Sequence, residues 1–481
     1  MVTLLGAVMS SLGTPLIPTI AESSGVSLSV AGWLLTATLL VGALATPVMG
    51  RLADGPHQRR VIVVALTVVL AGLVMSAASS NFALLLAGRT LQGVGLGLMP
   101  VTMAVARRHM PGDAVPRTIA LLSVVALMGI GLGYPVTGIL AEFWDFHAAF
   151  WAGAGVVALS LASAVLFLPG SSPGSAQPFD TVGALLICGA LTSLIVVLSE
   201  AVRWGWLSAP VLGLFAVSAI LAAAWARYEL RTPEPLVDLR QTRHRTVLTA
   251  DLSGFTISIG MYLFLPMVVE VVQLPTSTGF GLGGSVIVGA CALVPLSAGT
   301  VVAGRIAPVF ERRYGRRLMI PVGSLLFALS MVTFVVEHGH IWEVFVVTGI
   351  AGLAMGFTYA AMPGFIVTSV KAHETGSAMS FYQVLRSVGL ATGSALSAAL
   401  LAIFTSDVQG AVPRWEGFEA SLLLGAGLNV LTAVFSYVLP GPDPARIRVP
   451  DRLIEESAEV GGAGLALDEG AVRLTQGVRA K

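Results

Sequence analysis

Runs of apolar residues long enough to cross a bilayer constrain this chain more than any other feature. About 20 residues, rising 1.5 Å each along a helix, cover the ~30 Å hydrocarbon core of a membrane. Fourteen such runs follow one another along the sequence. They lie near residues 2–20, 30–49, 61–79, 82–105, 118–141, 147–168, 181–202, 207–226, 247–270, 283–306, 318–336, 342–365, 376–404 and 418–439. Between them the chain is poor in charge: 55% of its residues are hydrophobic and 11% charged, with a mean hydropathy of +0.86. A soluble domain carries roughly 25% charged residues, so a water-exposed globule of this size would lack polar surface. The sequence therefore predicts an all-α polytopic membrane protein.

Basic residues orient the stack, because short loops rich in Arg and Lys stay on the cytoplasmic side. They gather in the loops that follow even-numbered helices: Arg51, Arg59 and Arg60; Arg107, Arg108 and Arg117; Arg227 to Arg245; Arg305 to Arg317; and Lys371. The opposite loops hold only Arg203 and Arg414. Both termini are thus expected in the cytoplasm, with the protein in the cell's inner or plasma membrane. A net charge of +1, spread over loops, gives no nucleic-acid face. Cys188 and Cys291 fall inside apolar runs and read as small hydrophobes. Met1 enters the first apolar run with no basic region ahead of it, unlike a signal peptide, which leads us to expect a start upstream. Residues 169–180 read as a flexible linker and 440–481 as a polar cytoplasmic tail, disordered or loosely amphipathic.

The loop after the second helix, GRLADGPHQRR from Gly50, is echoed after the tenth by GRIAPVFERRYGRR from Gly304. Each follows the second member of a six-helix set, which points to two related halves with helices seven and eight inserted between them. Positive-inside charge alone is the plainer explanation of the echo.

These motifs resemble the fourteen-helix drug:proton antiporter branch of the major facilitator superfamily. Gly50, Leu52, Ala53, Asp54, Arg59 and Arg60 match its signature loop; Arg89, Gln92, Gly93 and Gly95 match its fourth-helix motif. Gly129, Gly133, Pro135 and Gly138 resemble the fifth-helix motif associated with antiporters. WDFHAAFW at 144–151, Glu200 with Trp204-Gly205-Trp206, and PEPLVDLR from Pro233 add to the likeness. The sequence departs from the pattern at Gly55, His57 and Gln58, at Pro308 in the second loop, and at Tyr134. Met9 stands where exporters of this branch place a first-helix Asp, so the chain couples differently, uses another acid, or performs another task.

Charges inside hydrocarbon cost roughly 2.5–3.5 kcal/mol at mid-helix on insertion scales, so each calls for a partner or a cavity. Arg89, with Gln92 one turn away, serves a proton pathway or substrate, or anchors hydrogen bonds. Asp251 in the ninth helix, the second-half counterpart of the first, is the acid best placed to carry a proton; a helix-dipole partner near Arg245 or Arg243 is the competing reading. Glu270, at the outer end of the same helix, reads as a proton-acceptance site or an interfacial carboxylate. Arg386, with Gln383 a turn before it, mirrors Arg89, and Gly389 and Gly393 allow close packing there. Asp54 can pair with nearby arginines to latch the two halves, or stand as an ordinary loop charge. Pro135 and its glycines admit a kink. Tyr262, Phe264, Tyr359, Phe381 and Tyr382 line a cavity or pack against neighbours.

The resemblance implies a major facilitator fold: a six-helix bundle over 1–168, linker and inserted pair over 169–245, a second bundle over 246–439, and the tail. It implies a proton-coupled, monomeric exporter of a hydrophobic or amphiphilic small molecule, of the multidrug-efflux and antibiotic-resistance kind. A carrier of a native lipid or metabolite and a non-transporting sensor or scaffold are the alternatives. No ATP-binding loop, metal cluster or nucleophilic triad appears in the sequence, so neither enzyme activity, cofactor nor metal is expected. Epitope tags on the two ends should be reached from the same side of the membrane; tags on opposite sides would refute the even helix count.

Overall fold

The computed structural model describes residues 16–26, 28–111, 114–168, 170, 179–240, 244–371, 374–405 and 413–439. Helices fill almost all of them, and the only strand-like pairing among the described residues is one bridge between Thr405 and Pro413. The order is α1 (Ile17–Ser24), α2 (Trp33–Asp54), α3 (Gln58–Ala77), α4 (Phe82–His109), α5 (Val115–Phe143), α6 (Phe146–Phe167) and α7 (Thr181–Trp204). Then come α8 (Ala209–Glu229), α9 (Arg245–Gln273), α10 (Ile287–Tyr314), α11 (Met319–Val336), α12 (Ile341–Ser369), α13 (Thr375–Ile403) and α14 (Trp415–Val438).

Twelve helices among the described residues are long and apolar enough to cross a membrane, against fourteen expected. The difference has two sources. Most of the first run, Met9 included, lies outside the described residues, as do the core of the linker, Arg243 and the tail. The fifth run is present as a continuous helix of 29 residues that passes through Pro135 without a break, and several of its side chains are not described. Large apolar side chains that would be costly in water, such as Leu185 of α7 and Ile220 of α8, face outward at 69% and 66% exposure, as a lipid surround requires.

Turn chemistry sets the helix starts. Asn81, Asp145, Asp180 and Ser285 each turn a side-chain oxygen onto backbone N–H groups at the start of a helix. Packing then sorts the helices into cores. One joins α2, α3, α4 and α6, another joins α9 to α12 and α14 with the ends of α4 and α5, and a third seats α7 and α8 against α2 and α13. Two seams run between the first six helices and the last six, α2 on α13 and α5 on α10.

Glycines permit the tightest crossings. A Cβ on Gly352 of α12 would strike the carbonyl of Leu296, and one on Gly299 of α10 the carbonyl of Gly349. Gly352→Leu should therefore force α10 from α12 and cost about 1–3 kcal/mol. A drop in the thermal midpoint of the detergent-solubilised protein checks it; an unchanged midpoint would refute so close a crossing.

Candidate functional site

In α4 the sequence LAGRTLQGVG carries its polar groups inward. Arg89 is 1% exposed, and its Nη1 donates to Gln92 Oε1 at 2.8 Å. Gln92 Nε2 in turn donates to Ser76 Oγ at 3.0 Å and to the Gly72 carbonyl at 3.2 Å, both on α3. Thr38 of α2 donates to the Arg89 carbonyl at 3.0 Å. Close approach is possible because Gly93 precedes and Gly97 ends a 3-10 turn, Val94–Gly97, and a Cβ on either would collide with α2. Arg89 Nε and Nη2 have no partner, and among the described residues no carboxylate reaches the guanidinium. The cation thus leans on a neutral amide and keeps donors unspent.

Asp251 lies near the start of α9, 3% exposed, and neither carboxylate oxygen has a hydrogen-bond partner. It lines a cleft of about 360 Å³ whose other walls are Leu230, Leu239, Leu248, Leu252, Phe381 and Leu385. On the same helix Gly254 leaves room for α13: a Cβ there would stand 3.1 Å from Tyr382 Cδ2 and 3.3 Å from Arg386 Cγ. Arg386 Nη1 donates to Gln383 Oε1 at 2.9 Å, and its guanidinium sits 4.4 Å over the Tyr359 ring and 5.9 Å from that of Tyr382. Tyr382 Oη donates to Met362 Sδ at 3.2 Å, while Tyr359 Oη meets Ser258 Oγ at 3.5 Å. No ion pair joins Asp251 and Arg386. Among the described residues Asp251 has neither donor nor counter-charge, and Arg245, one of its two expected partners, does not engage it; the other, Arg243, lies outside the described residues.

Asp54 behaves otherwise than the sequence suggested. Its carboxylate caps the first turn of α13 in place of an arginine ion pair. Gly376 N donates to Oδ1 at 2.7 Å, and Ser377 donates to Oδ2 from its N at 2.9 Å and its Oγ at 2.7 Å. Orphan N–H groups and the dipole at a helix start favour this, with Arg51 adding attraction. Arg108 steadies the turn by donating to the Asp54 and Gly55 carbonyls, each at 2.9 Å. Gly50 makes the crossing possible, since a Cβ there would meet the Gly376 carbonyl at 2.6 Å.

Other expected residues lie apart. Arg59 is half-buried and donates to the Val165 carbonyl at the end of α6, and Arg60 is exposed. Glu270 is half-buried 19 residues beyond Asp251, roughly 28 Å along α9, so the two do not share a site. Gly129, Gly133, Pro135 and Gly138 are buried in α5, with Gly138 facing Ala290 of α10. Sequence reasoning passed over Ser377, Gly376 and Arg108, whose only signal was a small-residue helix start and a basic loop.

The family model described as Major Facilitator Superfamily matches residues 1–310 and 287–459. Among curated relatives, the Multidrug resistance protein B homolog of Mycobacterium tuberculosis is 26% identical, over 80% of this chain and 71% of its own length. Multidrug resistance protein 3 of Bacillus subtilis is 23% identical over 89% and 83%, and Puromycin resistance protein pur8 of Streptomyces alboniger 27% over 88% and 86%. The crystal structure of the human organic anion transporter MFSD10 (TETRAN) aligns with a TM-score of 0.63 at 17% identity, over 90% of this chain and 98% of that one. That last likeness concerns the fold.

Asp54→Ala removes three hydrogen bonds to a charged acceptor, and a loss of about 2 kcal/mol would open the α2–α13 end roughly thirtyfold more often. With Cys188 and Cys291 replaced by Ser, a cysteine at position 380 should react with maleimide faster by that order. Equal labelling rates in the two backgrounds would remove the latch.

Proposed function

The chain belongs to the Major Facilitator Superfamily, and from that premise we propose that it exports a hydrophobic or amphiphilic, drug-like molecule in exchange for protons by alternating access. One observation carries the coupling: Asp251 is buried, unpartnered and set in an apolar cleft. A transported proton needs such a group, which loads and unloads as its surroundings change. With the first-helix position held by Met9, Asp251 stands as the replacement acid. The leucine-lined walls suit an apolar solute, and the relatives named for multidrug and puromycin resistance favour efflux.

Two six-helix bundles, 1–168 and 246–439, would rock about the α2–α13 and α5–α10 seams, with both termini in the cytoplasm. The Asp54 latch then closes the cytoplasmic end in one state and releases it in the other, changing populations without touching solute. Arg89, Gln92 and Arg386 supply fixed cations and donors to the route between the bundles.

In proteoliposomes, an imposed pH gradient should drive accumulation of a fluorescent lipophilic amine, and the amine should move protons. Asp251→Asn should reduce gradient-driven accumulation to background while leaving dye binding measurable. Full coupling in that variant would sink the assignment of Asp251, and absence of dye-dependent proton flux in the unsubstituted protein would sink exchange.

A further inference from the structure

The inserted helices carry two acids that the transport reading leaves unused. Asp180 caps the start of α7, its Oδ1 accepting from Gly183 N at 2.9 Å. Glu229 ends α8, and its Oε1 accepts from Trp225 Nε1 at 2.8 Å. Leu236 and Val237, in the loop toward α9, are buried in the core that α7 and α8 share. Glu229 is 0% exposed and Asp180 9%, so water reaches neither to any extent.

Gly183 brings them together. A Cβ at that position would collide with Asp180 Oδ2 and stand 2.8 Å from Glu229 Oε1, so both carboxyls border the same small space. Asp180 Oδ2 and Glu229 Oε2 have no hydrogen-bond partner. No basic side chain faces the pair among the described residues. The nearby Arg51 pairs with Glu234 at 3.9 Å, and Arg240 spends its guanidinium on the Leu230 and Thr232 carbonyls. Left fully ionised, two like charges would repel in an apolar enclosure. A single proton removes one charge and supplies the donor that the orphan oxygens lack.

We propose that Asp180 and Glu229 form a proton-binding pair, a second acid site in the inserted helices that holds one proton between two carboxyls. Its reach extends to the cleft of Asp251. Trp225, held by Glu229, packs against Phe381 with ring centroids 6.0 Å apart, and Phe381 lines that cleft. Leu230, next to Glu229, and Leu239 line it too.

Infrared difference spectra of the full-length protein in bilayers test this through the C=O stretch of protonated carboxyls. At neutral pH one carboxyl's intensity should disappear in Asp180→Asn and, separately, in Glu229→Gln, while Asp251→Asn leaves that component in place. Asn remains a good cap and Gln still accepts from Trp225, so both variants keep the local fold. A component that survives either substitution overturns the pair, whatever becomes of Asp251. If either variant fails to fold, Gly183→Ala retains both acids and inserts a methyl between them. It has to shift the band, and an unshifted band overturns the pair equally.

Discussion

Hydrocarbon offers neither donor nor counter-charge, so every charge inside this bundle has to be settled by the protein itself. The chain does this in three ways. Arg89 and Arg386 each take the amide of a glutamine three residues away, and Arg386 adds two tyrosine rings. Asp54 takes the start of a helix more than 300 residues distant. Asp251 takes nothing. Asp54 is fully satisfied, Arg89 and Arg386 only in part, and Asp251 is left without a partner among the described residues.

The two signature loops show how one motif can hold its own half and only once reach across. Arg59 donates to the Val165 carbonyl near the end of α6, and Arg317 donates to the Tyr437 carbonyl at 2.6 Å near the end of α14. Both ties join the loop to the last helix of its six-helix set. The carboxylate breaks the symmetry. Asp54 binds the start of α13, whereas Pro308 occupies the matching place on α10 and offers no acceptor side chain toward α5. The α2–α13 seam is held by charge and the α5–α10 seam by apolar contact such as Gly304 on Val124.

Features that act within one helical turn were legible in the sequence. Apolar runs located the helices, because in lipid length and hydropathy leave few alternatives, and Arg89 with Gln92, like Arg386 with Gln383, paired as their spacing implied. What the sequence could not convey was which distant surface a residue would face. Asp54 was matched to arginines because charge suggests charge; a helix start with free N–H groups competes well and leaves no mark in composition. Asp180 and Glu229 stand 49 residues apart and each looks like an ordinary helix end. Only the packing of α7 on α8 at Gly183 reveals them as neighbours.

That packing also explains where the extra helices exert force. The core of α7 and α8 includes Ala43 of α2 and Val384 of α13, so the inserted pair straddles the seam that Asp54 bridges. Trp225 reaches α13 through Phe381, and Leu236 and Val237 complete the same core from the loop beyond α8. If α2 and α13 part, this core must either tear or travel with one of them. Travelling is the cheaper course, since tearing would expose Trp225 and its neighbours. Only if the core travels with α2 does the wall formed by Leu230 and Leu239 leave α9, because α9 packs on α13, which lines the same cleft through Phe381 and Leu385.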